Sequence, residues 1–429
     1  MNHIDQVNQN PASPGRSPAG SGGTPRVLLF GYNGANNTGS EARLLRIIQD
    51  VQDVFGPRVP ITVPTLSQAN LRRYLTETAT VRIVPLPPVF FAAVRRLVRC
   101  HDLVLLVEGS CYMDTWTWAL LWAYLWATHC THRWEKACLA YAVDAGQANW
   151  FNRRLVRREA SFTDLIVTRT SAAAARLRAW GVTAPIEVTA DTALTFAPPS
   201  PLSNPLASWP AAQWGVVGIA PVDLTLWPVV IRPFGSSRNC YRWPYYFSRS
   251  VGRVRLRAAL VRDYARLLHH LIHHRGRAAA LVCMEELDEP LAYDIATRAR
   301  CGDAVRVFSS RQHDAAGLTQ LLREIQCLVT SRYHAAVLSL QAAVPQVAVS
   351  HDLRLRTLYR ELQLPSKLLL EPRDPALSVR LIQRVDELLV HPEPWRRLLR
   401  QGHDRLVHRA RQNPRILREF ARDHGWRIQ

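Results

Sequence analysis

The segment "VTSRYHAAVLSLQAAVPQVAV" holds the residues best suited to chemistry, Arg332 and His334, directly after a short aliphatic run. The run reads as a strand ending at Ser331, which puts both side chains in the first turn of the following helix. A cation, an imidazole and unpaired backbone N–H groups at the positive end of a helix dipole together suit an anion, and the imidazole can also move a proton. Arg169 takes the same kind of position in "DLIVTRTSAAAARLRAWGV". There a guanidinium can grip phosphate or carboxylate with two parallel hydrogen bonds.

Carboxylates recur at the ends of strand-like runs. They are Glu108 and Asp114 in "VEGSCYMDTW", Asp144 in "YAVDAGQ", Asp191 in "EVTADTALTF", and Glu285 and Glu286 in "LVCMEELDEP". Any of them can take a proton from a substrate hydroxyl or hold it by hydrogen bonds, and any can equally be a helix cap. The first run is followed by "GYNGANNTGSEA", in which Gly31, Gly34 and Gly39 leave the backbone free to take positive φ before a helix that opens near Ser40 and Glu41. Such a loop offers N–H groups and a helix N-terminus to an anion, so Gly34, Asn37, Gly39 and Glu41 are candidates for substrate contact. Ser40 also suits an N-cap and Glu41 a complement to the helix dipole. The loop is neither a P-loop nor a dinucleotide fingerprint.

Such residues act together only if a fold brings strand ends to one place. From Arg26 onward, short β-branched or aliphatic runs alternate with helical stretches, which implies parallel sheets covered by helices. "RVLLFGY", "VPITVP", "VRIVP", "DLVLLVEG", "ACLAYAVDAG" and "DLIVTRT" form one series. A second series is "WGVVGIAP", "AAALVCME", "AVRVF", "IQCLVTS" and "VPQVAVS". The expected fold is therefore two doubly wound, Rossmann-like α/β domains facing a cleft. They cover residues 25–196 and 211–390, joined by a Pro- and Ser-rich linker over 197–210, with a helical extension over 391–429. Residues 1–24 lack the apolar core of a signal peptide and read as a disordered leader. The apolar stretch Trp116–Cys130 is too short for a bilayer and reads as a buried core helix. The aromatic-rich interval Pro221–Gly252 lacks periodicity, so it reads either as a loop over the cleft or as packing between the domains.

Composition narrows the function classes. The net charge of +20 would suit a polyanion. The basic residues are nearly all Arg and are scattered, however, with no nucleic-acid-binding motif, so nucleic acid is not an expected partner. The eight cysteines show neither a C-x-x-C pair nor zinc-site spacing, so no metal is expected.

Taken in order, the quoted segments resemble the polysaccharide pyruvyl transferase family over about Arg26 to Leu362. The resemblance implies a glycosyltransferase-B-like architecture. It also implies transfer of the pyruvyl group of phosphoenolpyruvate onto a sugar of a cell-surface glycan or a lipid-linked precursor, as a ketal. The family's R-x-H motif matches Arg332 and His334, and its Arg near the end of the first domain is similar to Arg169. These three are thereby the expected donor site, with His334 as general acid. One of Glu108, Asp114, Asp144 and Glu285 is the expected base. Phosphoenolpyruvate would be a co-substrate, with no separate cofactor. The setting would be cytoplasmic, with peripheral contact at the inner membrane face. Ser40 stands where many members carry Asp, and "EGSC" where many carry a run of glycines. A nucleotide-sugar-dependent glycosyltransferase and a non-catalytic glycan-binding member are the alternatives.

Overall fold

The computed structural model describes residues 22–199 and 204–429. The leader expected over 1–24 lies almost wholly outside the described residues, as does part of the linker expected over 197–210. Two parallel sheets organise the chain. The first runs in the order β3 (Val81–Pro85), β2 (Ile61–Thr65), β1 (Val27–Phe30), β4 (Leu103–Leu106), β5 (Ala137–Val143), β6 (Leu165–Thr168) and β7 (Ile186–Val188). The second runs β12 (Val305–Ser309), β11 (Ala278–Cys283), β8 (Val216–Ala220), β13 (Cys327–Thr330), β14 (Gln346–Val349) and β15 (Leu369–Leu370). Counted from its own first strand, each sheet follows the doubly wound order 3-2-1-4-5-6, and the first adds β7 at its edge. In such sheets the connections reverse direction beside the first strand, and ligands bind beyond the strand ends at that point.

Helices cover both faces. The first sheet packs α1 (Thr38–Phe55), α2 (Gln68–Leu71), α3 (Phe91–Arg99), α4 (Trp118–Arg133), α5 (Trp150–Ala160) and α6 (Ser171–Ala179). The second packs α7 (Val251–His273), α8 (Glu289–Ala299), α9 (Ala315–Glu324), α10 (Tyr333–Ser339), α11 (Leu353–Glu361) and α12 (Leu377–Val390). Because both faces are covered, β1, β4 and β5 are buried at every residue, which is why they read as unbroken apolar runs. Helix starts are marked by side-chain caps from Asn37, Thr117, Asn149, Thr170 and Asp314. After α13 (Pro392–Ala410), α14 (Gln412–Asp423) returns to the first domain. There its Ile416, Leu417 and Phe420 join the core beneath α1.

Three local readings change. The first helix opens at Thr38, and Asn37, not Ser40, is its N-cap. Helix α4 leaves Trp118 46% exposed, and the indole N–H groups of Trp122 and Trp126 donate to Asn152 and to the Phe91 carbonyl. The helix is thus apolar in composition yet polar along one edge. The interval Pro221–Gly252 contains an antiparallel hairpin, β9 (Val229–Ile231) with β10 (Tyr245–Phe247). Its Tyr241 and Phe247 form a small core with Tyr32 and Leu287 of the two domains. No helix among the described residues is long and apolar enough to cross a membrane.

Candidate functional site

The strand ends at both reversal points open on one cleft between the sheets. Tyr32 follows β1, Glu108 follows β4, Val222 follows β8, and Arg332 and His334 follow β13, and all of them line it. Glu285 after β11 and His351 after β14 complete the polar wall. Trp116, Trp227 and Tyr241 form an aromatic wall, with centroid separations of 4.8 Å for Trp116–Trp227 and 5.8 Å for Trp227–Tyr241. Such faces suit the C–H surfaces of a sugar.

His334 is set by what lies behind it. Its Nε2 is 3.5 Å from Asp191 Oδ2, an ion-pair separation too loose for a directed hydrogen bond. Its Nδ1 lies over Gly39, where any Cβ would collide with the ring. Asp191 is fully buried and also meets Arg43 Nη1 at 3.0 Å and Arg169 Nη1 at 2.6 Å. Burial alone would raise the Asp191 carboxyl, but Arg43 and Arg169 hold it well below the usual carboxylate range. Burial lowers the His334 imidazole, and Asp191 pulls it the other way. The loop bearing Asp191 is clamped by the C-terminal helices. Asn413 of α14 exchanges hydrogen bonds with Thr189 and the Ala190 carbonyl, at 2.6 and 3.0 Å.

Arg332 sits between two carboxylates. Its Nη1 donates to Glu285 at 2.9 Å, and its Nε and Nη2 donate to Asp288 at 2.8 and 2.6 Å. Two of its five N–H groups remain for a ligand. Glu108 lines the cleft without a cationic partner among the described residues, and it accepts from Ser40 Oγ at 3.2 Å and from the Ser110 N–H and hydroxyl. Glu285 also accepts from Asn37 Nδ2 at 3.3 Å, which brings the first loop of one domain against the other.

The structure thus gathers His334, Arg332, Glu108, Glu285, Asn37 and Gly39 around one space. The remaining candidates lie elsewhere. Arg169 is sealed beneath the cleft floor, with Tyr333 over its guanidinium at 4.3 Å and Asp144 on its Nε at 2.9 Å. It supports the floor and does not open on the cleft. Asp144 is correspondingly occupied by Arg169. Asp114 accepts three bonds, each 2.8 Å, from Asn149 and Asn152 at the start of α5. Of the three loop glycines only Gly34 has positive φ, at 77°, and it packs against Thr65 and Ser67 away from the cleft.

Glu41 is buried, and among the described residues neither of its carboxylate oxygens has a hydrogen bond of ordinary length. Burial pushes its pKa up to about 8, against a weaker opposing pull from Arg73. The folded chain therefore keeps a proton that the unfolded chain releases in the ordinary carboxylate range. Stability is then lost as pH rises from that range to about 8. Glu41→Gln should melt like the wild type near about pH 4 and at a higher temperature above about pH 8, as thermal unfolding across that range would read. Equal melting temperatures at the alkaline end would contradict a buried neutral carboxyl.

Sequence reasoning passed over Arg43, His351 and Arg354. Arg43 falls one turn before Ile47 on the apolar stripe of α1, a placement that marks a buried guanidinium. Its Nη2 donates to the Val107 and Ala142 carbonyls at 3.1 and 3.0 Å. His351 and Arg354 follow β14, so the strand-end rule that singled out Arg332 applies to them equally. Among the described residues both ring nitrogens of His351 lack hydrogen-bond partners, and burial lowers its pKa to about 4. Arg354 lies over the Trp116 ring at 4.8 Å and pairs with Asp352.

Several solved structures share this architecture. A UDP-GlcNAc 2-epimerase from Methanocaldococcus jannaschii is similar with a TM-score of 0.56 and 9% identity, over 92% of this chain and 99% of its own. One from Neisseria meningitidis, bound to UDP-GlcNAc, has a TM-score of 0.54 and 10% identity, over 90% and 99%. A glycosyltransferase from Rickettsia africae ESF-5 has a TM-score of 0.50 and 9% identity, over 93% and 97%. At such identities the likeness shows the fold alone, which is glycosyltransferase-B-like. No curated protein sequence matches the chain. The sequence profile of polysaccharide pyruvyl transferases matches residues 37–352, a span that contains Glu108, Glu285, Arg332, His334 and His351 of the cleft, and the chain belongs to that family.

Proposed function

We propose that this protein transfers the pyruvyl group of phosphoenolpyruvate to two hydroxyls of a sugar, forming a ketal on a polysaccharide or its precursor. The observation that carries this reading is the meeting of His334, Arg332, Arg354 and Glu108 in one cleft beside an aromatic wall. Arg332 and Arg354 hold the phosphate and carboxylate of the donor. The bound anion raises the otherwise depressed His334 pKa, so the imidazolium needed as an acid forms when the donor arrives.

His334 gives its proton to the methylene carbon, which becomes a methyl group and leaves the neighbouring carbon electrophilic. One sugar hydroxyl adds to that carbon, and its proton passes to Glu108. The carbon–oxygen bond to phosphate breaks, the negative charge is met by the guanidiniums, and the phosphate takes the proton from Glu108. The second hydroxyl then adds, closes the ketal ring and returns a proton to the imidazole. Arg169 and Arg43 act through Asp191, the anion that lies behind the imidazole and favours its charged form.

Calorimetric titration with phosphoenolpyruvate tests the donor site. Saturable binding to wild type, weakened at least about tenfold in Arg354→Ala, is the expected result. A folded wild type that shows no binding at millimolar donor yet saturates with UDP would replace this reading with a nucleotide-sugar one.

A further inference from the structure

A second polar space adjoins the cleft, and the two share Trp116, His351 and Arg354. This chamber reaches from the end of β5 and the start of α6 in the first domain to the start of α11 in the second. It holds about 240 Å³, against about 60 Å³ in the cleft, so a substrate that outgrows the cleft has room here. Thr115, Gln147 and Thr357 bring hydroxyls and an amide to its wall, groups that both donate to and accept from the hydroxyls of a sugar. The chamber lies beyond β5 and β14, the neighbours of the β4 and β13 that serve the cleft. Neighbouring strands are about 4.8 Å apart, so a chain of linked sugars reaches the chamber by stepping one strand along.

The charges in the chamber wall do not balance. Asp144 gives one carboxylate oxygen to Arg169 and the other to the Ala145 N–H. Asp352 takes the Arg354 guanidinium on one oxygen and the Arg354 backbone N–H on the other. Arg356 pairs with Glu371. That leaves Arg176, a half-buried guanidinium on the wall whose Nη1 donates to the Ala145 carbonyl and which, among the described residues, meets no carboxylate. On the wall shared with the cleft, the two unpartnered nitrogens of His351 are likewise shut away from solvent. A guanidinium held partly out of water gains most from a carboxylate that it can grip with charge-assisted hydrogen bonds. Both wall carboxylates are already taken, so the ligand is the remaining source of one.

We infer that the chamber binds an acidic sugar, the residue linked to the one that accepts the pyruvyl group, with its carboxylate on Arg176 and its hydroxyls on Gln147, Thr357 and the His351 imidazole. This rests on the reading of the cleft as the sugar-acceptor site. It makes the preferred acceptor an oligosaccharide with a uronic acid beside the modified residue. The chamber is tested by binding alone, without any transfer reaction. Methyl β-D-glucuronide, methyl β-D-glucoside and acetate are titrated into wild type, Arg176→Gln and Ala172→Trp, with ligand-observed NMR as the readout and circular dichroism as the check on folding. Wild type should bind the glucuronide at least about tenfold more tightly than either the glucoside or acetate. Arg176→Gln should bring the glucuronide down to the level of the glucoside. Ala172→Trp narrows the chamber at a half-buried lining position and should weaken both sugars. Should either variant fail to fold, the other still decides.

Equal affinity for glucuronide and glucoside in wild type would overturn the proposal, as would a full preference kept by folded Arg176→Gln, or undiminished sugar binding by folded Ala172→Trp. Acetate bound as tightly as the glucuronide would overturn it too, and would leave an anion site without a place for a sugar. Phosphoenolpyruvate is titrated separately into wild type and Arg176→Gln. Donor binding lost in Arg176→Gln would assign the chamber to the donor and so overturn the proposal. A glucuronide preference in a wild type that binds no donor would remove the pyruvyl reading and leave the acidic-sugar site standing.

Discussion

Alanine in place of His334 is expected to lower turnover by about two to four orders of magnitude, the usual cost of losing a positioned general acid. The fold should survive, because the ring lies on the cleft wall over Gly39 and beside Tyr333, and its removal leaves no sealed cavity. Steady-state kinetics at saturating donor, with circular dichroism as the check on folding, would read the effect. Near-normal turnover in a folded variant would take His334 out of the proton transfer. The pH dependence has a defined sign. Burial holds the imidazole of the free protein below the ordinary histidine value, and the acid form is the active one. The free-protein profile of kcat/KM should therefore fall as pH rises through neutrality. Asp191→Asn withdraws the anion that pulls the imidazole upward, so it should move that falling limb further to the acid side. Gly39→Ala offers a positioning counterpart. Its methyl group would occupy the space of the ring and should lower turnover at least about tenfold, with donor binding less affected.

The largest effect on stability is expected from Asp191→Ala, at about 3–5 kcal/mol or more. Its carboxylate is shared by two guanidiniums that are both shut away from solvent, with side-chain exposures of 1% for Arg43 and 0% for Arg169. Arg169 would keep Asp144, but among the described residues Arg43 has no other carboxylate and would retain only backbone carbonyls. An uncompensated buried charge is much costlier than the pair was favourable, so the loss should far exceed that of an ordinary surface ion pair. Urea denaturation would measure it, and Asp191→Asn should recover part of the loss by keeping an acceptor oxygen in a side chain of the same shape. A shift below about 1 kcal/mol would mean that the guanidiniums find water or new partners.

Much of the scaffold is legible in the sequence. The buried strands β1, β4, β5, β8, β11 and β13 stand out as apolar runs because both faces of each sheet are covered, and many of the helices between them begin at Ser, Thr, Asn and Asp caps. The hairpin of β9 and β10 is not legible. It is an isolated two-stranded pair whose aromatic residues face a small core between domains, so neither a period of two nor a helical period appears in it. Part of the site is legible through one rule, that chemistry gathers beyond strand ends. The rule brings Arg332, His334, Glu108 and Glu285 to the cleft, and followed one strand further it reaches His351 and Arg354.

The order of motifs along the chain determined the family and the doubly wound architecture, since strand and helix periods and short-range caps are local properties written in consecutive residues. Whether a charged residue faces ligand, caps a helix or anchors a buried network depends on which strand ends meet across two domains. Arg169 and Arg332 look alike in sequence, each an arginine after a buried strand. One lies sealed between Asp144 and Asp191, and the other opens on the cleft. Asp191 looks like a cap and is one, accepting from the Ala193 N–H. Yet only the return of α14 and the approach of α10 from the second domain place it behind His334. Burial is a property of the assembled fold. It sets the cost of each charge, and so tertiary packing decided which of the candidate residues could act and which must stay paired.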